Sequence, residues 1–200
     1  MEKIIKLSKS SISNDEIAAV TKVLKKGFFG MGNEVIKFEK ELSKYFSREV
    51  ACVTNGFSAL QLALQAVGIK TGDEVLVPSL TYIASYQAIS AVGAKPISCD
   101  VDTDDLFIDI EFAKKKITKK TKVIMPVFFS GHANKIDEMY KFAKENKLRV
   151  IEDAAHAFGT YYRKKKIGSF GDITCFSFDG IKNITSGEGG CVVTHDLNII

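Results

Sequence analysis

Two residues with clear chemical potential follow apolar runs in this sequence. Lys182 lies in the stretch FSFDGIKN, five positions after Ser177, and Asp153 ends the run LRVIED. A lysine amine at its usual pKa of ~10.4 is protonated, so a nucleophilic Lys182 requires desolvation, a neighbouring cation or conversion to a Schiff base. A carboxylate after so apolar a run needs a partner that neutralises it. A protonated heterocyclic nitrogen would be such a partner for Asp153, and a helix or turn cap is the alternative.

Two strand-to-helix turns add a candidate anion site and an aromatic ring. The turn at Asn55, Gly56, Phe57 and Ser58 follows VACVT and opens the helix SALQLALQAV. Free backbone N–H groups and the helix dipole favour a phosphate there, and an ordinary turn capped by Ser58 is the alternative. Tyr82 follows EVLVP at another helix start, in SLTY. Its ring could stack on a flat ligand or fill a half-buried core position.

The histidines give no sign of a metal site. The sequence has only His132, His156 and His195, and no two of them have the spacing of paired ligands. His156, close behind Asp153, is expected to be a polar residue with its hydrogen bonds satisfied and not a metal ligand.

Together, these turns meet the needs of one cofactor. A phosphate cradle at residues 56–58, a stacking ring at Tyr82, a strand-end carboxylate at Asp153 and an amine at Lys182 correspond to four parts of pyridoxal 5'-phosphate. They would provide the anchor, the ring platform, the partner of the pyridinium nitrogen and the Schiff-base donor. Each motif alone is weak, but their order and spacing together predict a site for this cofactor.

Alternating strands and helices must bring these residues together. A first helix is predicted from a cap at Asn14 to Gly27, and the apolar stripe of a second packs on the body of the domain. Short apolar runs then alternate with helical segments: VACV, EVLVP, KPISC, KVIMPV, LRVIED, ITCFSF and GCVVTH. Runs that are apolar on both faces are typical of parallel strands covered by helices, so we expect an α/β fold with a mostly parallel, doubly wound sheet. Ligands of such sheets bind beyond the carboxyl ends of the strands. We expect one domain over residues 1–200, with N-terminal helices at 1–47 and the sheet at 48–200.

Composition narrows the class of protein. The 200 residues are 46% hydrophobic with a formal charge of +4, which suits a globular protein. The lysine runs at 114–122 and 163–166 lack interleaved aromatic residues, which indicates solvated surface and not a nucleic-acid site. The cysteines lie in predicted strands without CxxC pairing, as buried thiols of the cytoplasm do. No apolar run reaches membrane-spanning length, and the start has no export signal, so we expect a cytoplasmic protein without a membrane partner.

From about Ser10 to Asp196, the sequence resembles the large domain of the DegT/DnrJ/StrS-type sugar aminotransferases, which have the aspartate aminotransferase fold (fold type I). The matching segments are GMGNEVIKFEKELSKYF, TNGFSALQLAL, GDEVLVPSLTYIAS, VGAKPISCDVD, VIEDAAHAFG and IGSFGDITCFSFDGIKNITSGEGGCVVT. The last of these is highly specific, because it contains both the lysine and the glycine-rich turn.

The resemblance implies a role for each candidate residue. Lys182 would hold the cofactor as a Schiff base, Asp153 would pair with the pyridine nitrogen, and Tyr82 would lie against the ring. His156, where the family often has glutamine, would contact the phenolic oxygen. The phosphate would be held by Gly56, Phe57, Ser58 and Ser177. Phe57 is a departure, because the family commonly has threonine there, and the change removes one phosphate-binding hydroxyl.

The resemblance also implies a reaction and partners. Glutamate would donate an amino group to a keto group of a nucleotide-linked deoxysugar, and the product would be an amino sugar for a surface glycan or a secondary metabolite. A homodimer is expected. The family continues into a smaller C-terminal domain that this chain lacks, so we interpret the chain as the N-terminal portion of such an enzyme.

Three other interpretations compete with this one. A non-catalytic sensor that binds the cofactor, or an inactive remnant, stays open, although the retained lysine and aspartate argue against it. Sugar dehydration is disfavoured by Lys182, because related dehydratases have histidine there. A Rossmann nucleotide site at Gly30 and Gly32 is disfavoured because the run follows a helix and has Val35 in place of the third glycine.

Overall fold

The computed structural model describes residues 8–200, in which a seven-stranded sheet lies between two groups of helices. Residues 1–7 of the predicted N-terminal helical region lie outside the described residues. The helices are α1 (Asn14–Lys26), α2 (Asn33–Phe46), α3 (Gly56–Ala66), α4 (Ala84–Ala91), α5 (Ile110–Lys116) and α6 (Ile136–Glu145). The strands are β1 (Glu49–Val53), β2 (Glu74–Pro78), β3 (Lys95–Cys99), β4 (Thr121–Ile124), β5 (Arg149–Asp153), β6 (Tyr161–Tyr162), β7 (Lys165–Lys166), β8 (Ile173–Ser177) and β9 (Gly190–Thr194).

The strand order of the main sheet is β1-β9-β8-β5-β4-β2-β3, with β5 in the middle. Strand β9 runs antiparallel to both of its neighbours, β1 and β8, whereas the other adjacent pairs are parallel. The short strands β6 and β7 form a separate hairpin. The predicted α/β fold with a mostly parallel sheet is therefore confirmed.

Both faces of the sheet are covered by helices, which explains why its strands are largely apolar. Helices α3 and α4 contribute to one core, and α2, α5 and α6 contribute to the other. In β2, Val75 and Val77 belong to the first core, whereas Leu76 points into the second. Alternate residues of a strand face opposite sides, so a strand with two buried faces is apolar at most positions, and a buried polar residue such as Thr174 has a hydrogen-bond partner.

Helix α1 differs in one respect from the sequence prediction. Its N-cap is Ser13 and not Asn14: the Ser13 hydroxyl accepts from the backbone N–H of Asp15 at 3.1 Å, and the Glu16 carboxylate accepts from the Ser13 N–H at 2.6 Å. This is a capping box, which satisfies two otherwise unpaired donors. The helix ends before Gly27, as predicted.

The apolar stripe of α1 is not covered by the rest of residues 8–200. Its members Ile17, Val20 and Leu24 are 57%, 59% and 58% exposed, and no residue of the helix is buried. By contrast, α2 buries Leu42 and Phe46 against the sheet. Within the described residues, no helix has the length and apolar composition that a bilayer crossing requires.

An arginine fixes the chain segment that leads into β8. Arg48 is buried, and its guanidinium donates hydrogen bonds of 2.7–3.1 Å to backbone carbonyls in this segment. The acceptors are Gly168, Phe170, Gly171 and Asp172. Because β8 carries Ser177 and leads to Lys182, this contact helps to set the position of both residues.

A buried carboxylate lies next to Asp153 on the opposite face of β5. Glu152 is 1% exposed and accepts hydrogen bonds from the hydroxyls of Tyr140, at 2.9 Å, and Thr174, at 2.6 Å. Burial raises the pKa of Glu152 from 4.5 to about 7, although these two hydrogen bonds and the charge of Arg48 oppose the shift. Glu152 therefore takes up its proton near neutral pH in the folded protein.

Replacing Glu152 by glutamine should make the free energy of unfolding less dependent on pH. Between pH 4.5 and about 7, the folded state holds a proton on Glu152 that the unfolded chain releases, so this residue costs stability as the pH rises. From the low to the high end of this window, the free energy of unfolding of Glu152→Gln should rise by roughly 3 kcal/mol relative to that of the wild type. Urea unfolding at both ends of the window measures the change. The matched control is Glu138→Gln, at an exposed position of α6. If the free energies of unfolding of Glu152→Gln and the wild type differ by the same amount at both pH values, the prediction is contradicted.

Candidate active site

A cavity of about 620 Å³ opens at the carboxyl edge of the parallel strands. Its lining comes from the residues that follow β1 and β2, the last residues of β5 and β8, and the loop between β8 and β9. Seven of the eight predicted site residues line it: Gly56, Phe57, Tyr82, Asp153, His156, Ser177 and Lys182. The strand ends therefore bring together residues that lie far apart in the sequence.

Ser58 is the predicted site residue that does not line the cavity. Its hydroxyl lies 2.9 Å from the Thr54 hydroxyl, and its backbone N–H donates to the Asn55 side chain at 2.8 Å. The cap of α3 is therefore Asn55, and the alternative of a turn capped by Ser58 is wrong.

The N-terminus of α3 provides one end of the cavity with hydrogen-bond donors. The first N–H groups of a helix have no intrahelical acceptor, and Asn55 satisfies that of Ser58. Within residues 8–200, those of Gly56 and Phe57 have no acceptor and are open to a ligand. Ser177, at the end of β8, lines the same part of the cavity. An anionic group is the ligand that this end favours.

Glycines allow β8 and β9 to approach this helix closely. A Cβ atom on Gly56 would lie 2.9 Å from the Cβ of Ser177, and one on Gly190 would lie 2.5 Å from the backbone carbonyl of Asn55. Contacts this short cannot form without a shift of the backbone. Glycine at 190 therefore keeps the start of β9 against the helix that borders the cavity.

Gly190→Ala should destabilise the protein by roughly 1–3 kcal/mol, because a methyl group would overlap backbone atoms that cannot rotate away. Thermal and urea unfolding measure the loss. Gly30→Ala is the control: its nearest neighbour would be a ring atom of Phe28 at 3.6 Å, so the change should stay within about 0.5 kcal/mol. If the two variants are equally stable, then β9 at Gly190 does not pack tightly against the backbone of Asn55.

Asp153 is held at the end of β5 by its backbone and by its side chain. It is 6% exposed, its N–H donates to the Pro126 carbonyl, and its carbonyl accepts from Phe128. One carboxylate oxygen accepts from the N–H of Ala155 at 3.1 Å, and the other accepts from the Ser85 hydroxyl at 2.7 Å. The carboxylate therefore caps a turn, which was the alternative role considered for it, and it also faces the cavity.

His156 presents a hydrogen-bond donor. The backbone N–H of Ser130 donates to its Nδ1 at 3.2 Å, so the proton of the neutral ring must be on Nε2. Burial lowers the pKa of His156 from 6.5, the positive charge of Lys182 lowers it further, and Asp153 opposes the shift. The ring is therefore neutral at pH 7 and can donate from Nε2.

NMR of the ring nitrogens should show His156 in this neutral tautomer at pH 7, with a pKa below 6.5. As the pH falls below 6.5, His156 takes up a proton more readily in the unfolded chain than in the folded protein. Protonation of this residue therefore lowers the free energy of unfolding as the pH falls below 6.5. Lys182→Ala should move the pKa of His156 back towards 6.5, because a repelling charge is removed. A pKa at or above 6.5 in the unsubstituted protein would contradict the assignment.

Lys182 is carried by a hydrogen-bonded turn. Its N–H donates to the Asp179 carbonyl at 3.0 Å, and the Ile181 N–H donates to the Asp179 carboxylate at 3.0 Å. The Ser10 hydroxyl donates to the Gly180 carbonyl at 2.7 Å, which ties the N-terminal segment to this loop. The side chain of Lys182 is half-buried and lines the cavity together with Asp153.

Tyr82 lies at the cavity and is 71% exposed, so the alternative of a half-buried core position is wrong. Helix α4 also starts only at Ala84, after the predicted position.

Sequence reasoning missed three contributions to the site: the Ser85 hydroxyl, the Ser130 N–H and the close approach at Gly190. The pair Thr81 and Ser85, four residues apart, was a signal for two neighbouring hydroxyls where the chain enters α4. Nothing in the sequence linked these hydroxyls to Asp153. In the described part of the chain, no group of three or more histidine, cysteine or acidic side chains is arranged to hold a metal ion.

The fold and this edge of the sheet define an α/β protein of the fold type I aminotransferase class. A family model described as the DegT/DnrJ/EryC1/StrS aminotransferase family matches residues 10–200, and the chain belongs to this family.

The known proteins similar to the chain include one curated relative and two solved structures. GDP-perosamine synthase of Escherichia coli O157:H7 is 48% identical over 169 residues, which cover 84% of this chain and 46% of the relative. The structure of S. venezuelae DesV in complex with a ketimine intermediate has a TM-score of 0.88 and 40% identity, covering 92% of this chain and 50% of that one. The PLP form of Spr1654 from Streptococcus pneumoniae has a TM-score of 0.93 and 32% identity, covering 98% and 54%. The chain thus spans about half the length of these proteins.

Proposed function

We propose that this chain binds pyridoxal 5'-phosphate and belongs to an aminotransferase that moves an amino group from glutamate to a keto group of a nucleotide-linked deoxysugar. The observation that carries the proposal is the shared cavity: Lys182 and Asp153 follow different strands and line the same space of about 620 Å³. The similarity to a GDP-perosamine synthase supports a nucleotide sugar as the acceptor.

The residues around the cavity fit the polar groups of this cofactor. The N–H groups of Gly56 and Phe57, with the Ser177 hydroxyl, would hold the phosphate. Ser58, predicted to contribute as well, would act indirectly, because its N–H pairs with the Asn55 side chain and fixes the start of α3. Glycine at 56 suits this role, because a Cβ there would meet Ser177 at 2.9 Å. Phe57 supplies only its backbone, since its ring packs partly against the core.

The remaining contacts concern the cofactor ring. Asp153 would accept a hydrogen bond from the protonated ring nitrogen, and Tyr82 would lie against the ring. His156, neutral and protonated on Nε2, would donate to the phenolic oxygen. A donor is required at that position, because the phenolic oxygen carries negative charge when the cofactor is bound.

The chain's own residues would divide the chemistry between them. When bound, the cofactor supplies an electron-withdrawing ring that stabilises negative charge at the substrate carbon. Lys182 would tether the cofactor, and its released amine would take the proton from the substrate Cα. Asp153 would keep the proton on the ring nitrogen, because the buried carboxylate supplies the compensating negative charge.

The wider role is part of the same proposal. The product would be an amino sugar for a surface polysaccharide or a secondary metabolite, made in the cytoplasm by a homodimer. The similarity to a GDP-perosamine synthase, which is named for a nucleotide-linked amino sugar, supports the amino sugar product.

Borohydride labelling tests the proposed cofactor site. Protein mixed with pyridoxal phosphate should turn yellow, and reduction followed by peptide mass spectrometry should find the cofactor on Lys182. Lys182→Ala should lose the label at this site, whereas Lys119→Ala, at an exposed lysine, should keep it. Labelling of other lysines with none at Lys182 would refute the proposal.

Addition of glutamate to the loaded protein tests turnover. The yellow form should convert to the spectrum of pyridoxamine phosphate, and a GDP-linked keto deoxysugar should restore the original spectrum. A label on Lys182 without any conversion would instead favour a cofactor-binding protein that does not turn over.

A further inference from the structure

We propose that Ser85 is the positioning residue for Asp153, and that Thr81 orients Ser85 in turn. The inference rests on the proposed function, because it concerns how the carboxylate is presented to the ring nitrogen of the bound cofactor. Ser85 donates a hydrogen bond to Asp153 but does not line the cavity, so it would affect a bound ligand only through the Asp153 carboxylate.

The direction of the hydrogen bonds follows from the charge of the acceptor. An ionised carboxylate can only accept, so the single hydroxyl proton of Ser85 is given to Asp153 at 2.7 Å. Ser85 can then only accept from the Thr81 hydroxyl, which lies 2.7 Å away and is 3.2 Å from its other acceptor, the Tyr82 carbonyl. The chain of donors therefore runs from Thr81 at the cavity wall to Ser85 and ends at the buried carboxylate.

The hydrogen bond between Ser85 and Asp153 is buried, which makes its loss costly. Ser85 is 0% exposed and Asp153 is 6% exposed, so little water can reach the hydrogen bond between them. In such surroundings, a hydrogen bond to a charged group is stronger than one at the surface, and an unpaired partner is more costly.

The rest of Asp153 is already fixed, which leaves only the side chain to be oriented. Backbone hydrogen bonds to Pro126 and from Phe128 hold the main chain on both sides of the residue. The Ala155 N–H holds one carboxylate oxygen at 3.1 Å. Ser85 holds the other, so together the two donors define the plane of the carboxylate that faces the cavity.

Helix α4 has an anchor of its own and does not depend on the contact with Asp153. The Tyr86 hydroxyl lies 2.8 Å from the Ser98 hydroxyl, which ties the helix to β3. Ser85→Ala should therefore remove the donor without moving the helix. This separates a positioning role from a structural one.

The test is a double-mutant cycle with the affinity for pyridoxal phosphate as the readout. Ser85→Ala should raise the dissociation constant about tenfold, as expected for one hydrogen bond to a charged group. In an Asp153→Ala background, Ser85→Ala should add nothing further, because the group through which it acts is gone. Ser90→Ala, at an exposed serine of the same helix, is the control and should leave the affinity unchanged.

A second readout reports on the ring nitrogen directly. With cofactor labelled with ¹⁵N in the ring, Ser85→Ala should shift the nitrogen signal towards that of neutral pyridine, because the carboxylate can rotate away. Ser90→Ala, at the exposed serine of the same helix, should match the wild type.

The outcomes separate this inference from the proposed function. Failure of the unsubstituted chain to bind the cofactor on Lys182 overturns both. Binding on Lys182, with equal effects of Ser85→Ala in the presence and absence of Asp153, overturns the positioning role alone. An unchanged nitrogen signal in Ser85→Ala does the same.

Discussion

The buried carboxylate of Asp153 sets the requirements that the rest of the site meets. A negative charge with little access to water is stable only when hydrogen bonds and an opposing charge compensate it. The protein supplies two donors, from Ala155 and Ser85, and the Lys182 side chain shares the cavity. Two donors leave the carboxylate with further lone pairs, which a protonated ligand nitrogen can use.

The two faces of β5 show how one strand separates two carboxylates. Asp153 lies at the strand end with its side chain at the cavity, whereas Glu152, one residue earlier, points into the core on the other face. Glu152 is enclosed by hydroxyl donors, and burial raises its pKa to about 7. The alternation of side chains along a strand is sufficient to give neighbouring acids different environments.

Periodicity and residue order allowed most of the architecture to be predicted. The apolar runs marked the strands, because most positions of a doubly covered strand are apolar, and the strand ends marked the cavity. The details that the sequence did not reveal depend on contacts between distant segments. Ser85 reaches Asp153 across 68 residues, and Ser130 reaches His156 across 26. The cap of α1 was predicted wrongly as Asn14, because Ser13 and Asn14 are both good caps and only the geometry distinguishes them.

The antiparallel strand β9 has a consequence for the loop that carries Lys182. Because β8 and β9 pair as a hairpin, both ends of the loop are fixed side by side at the sheet edge. The strand ladder therefore compensates part of the entropy that is lost on closing the loop. The position of the amine at the sheet edge follows from these two fixed ends together with the turn at Asp179 that carries Lys182.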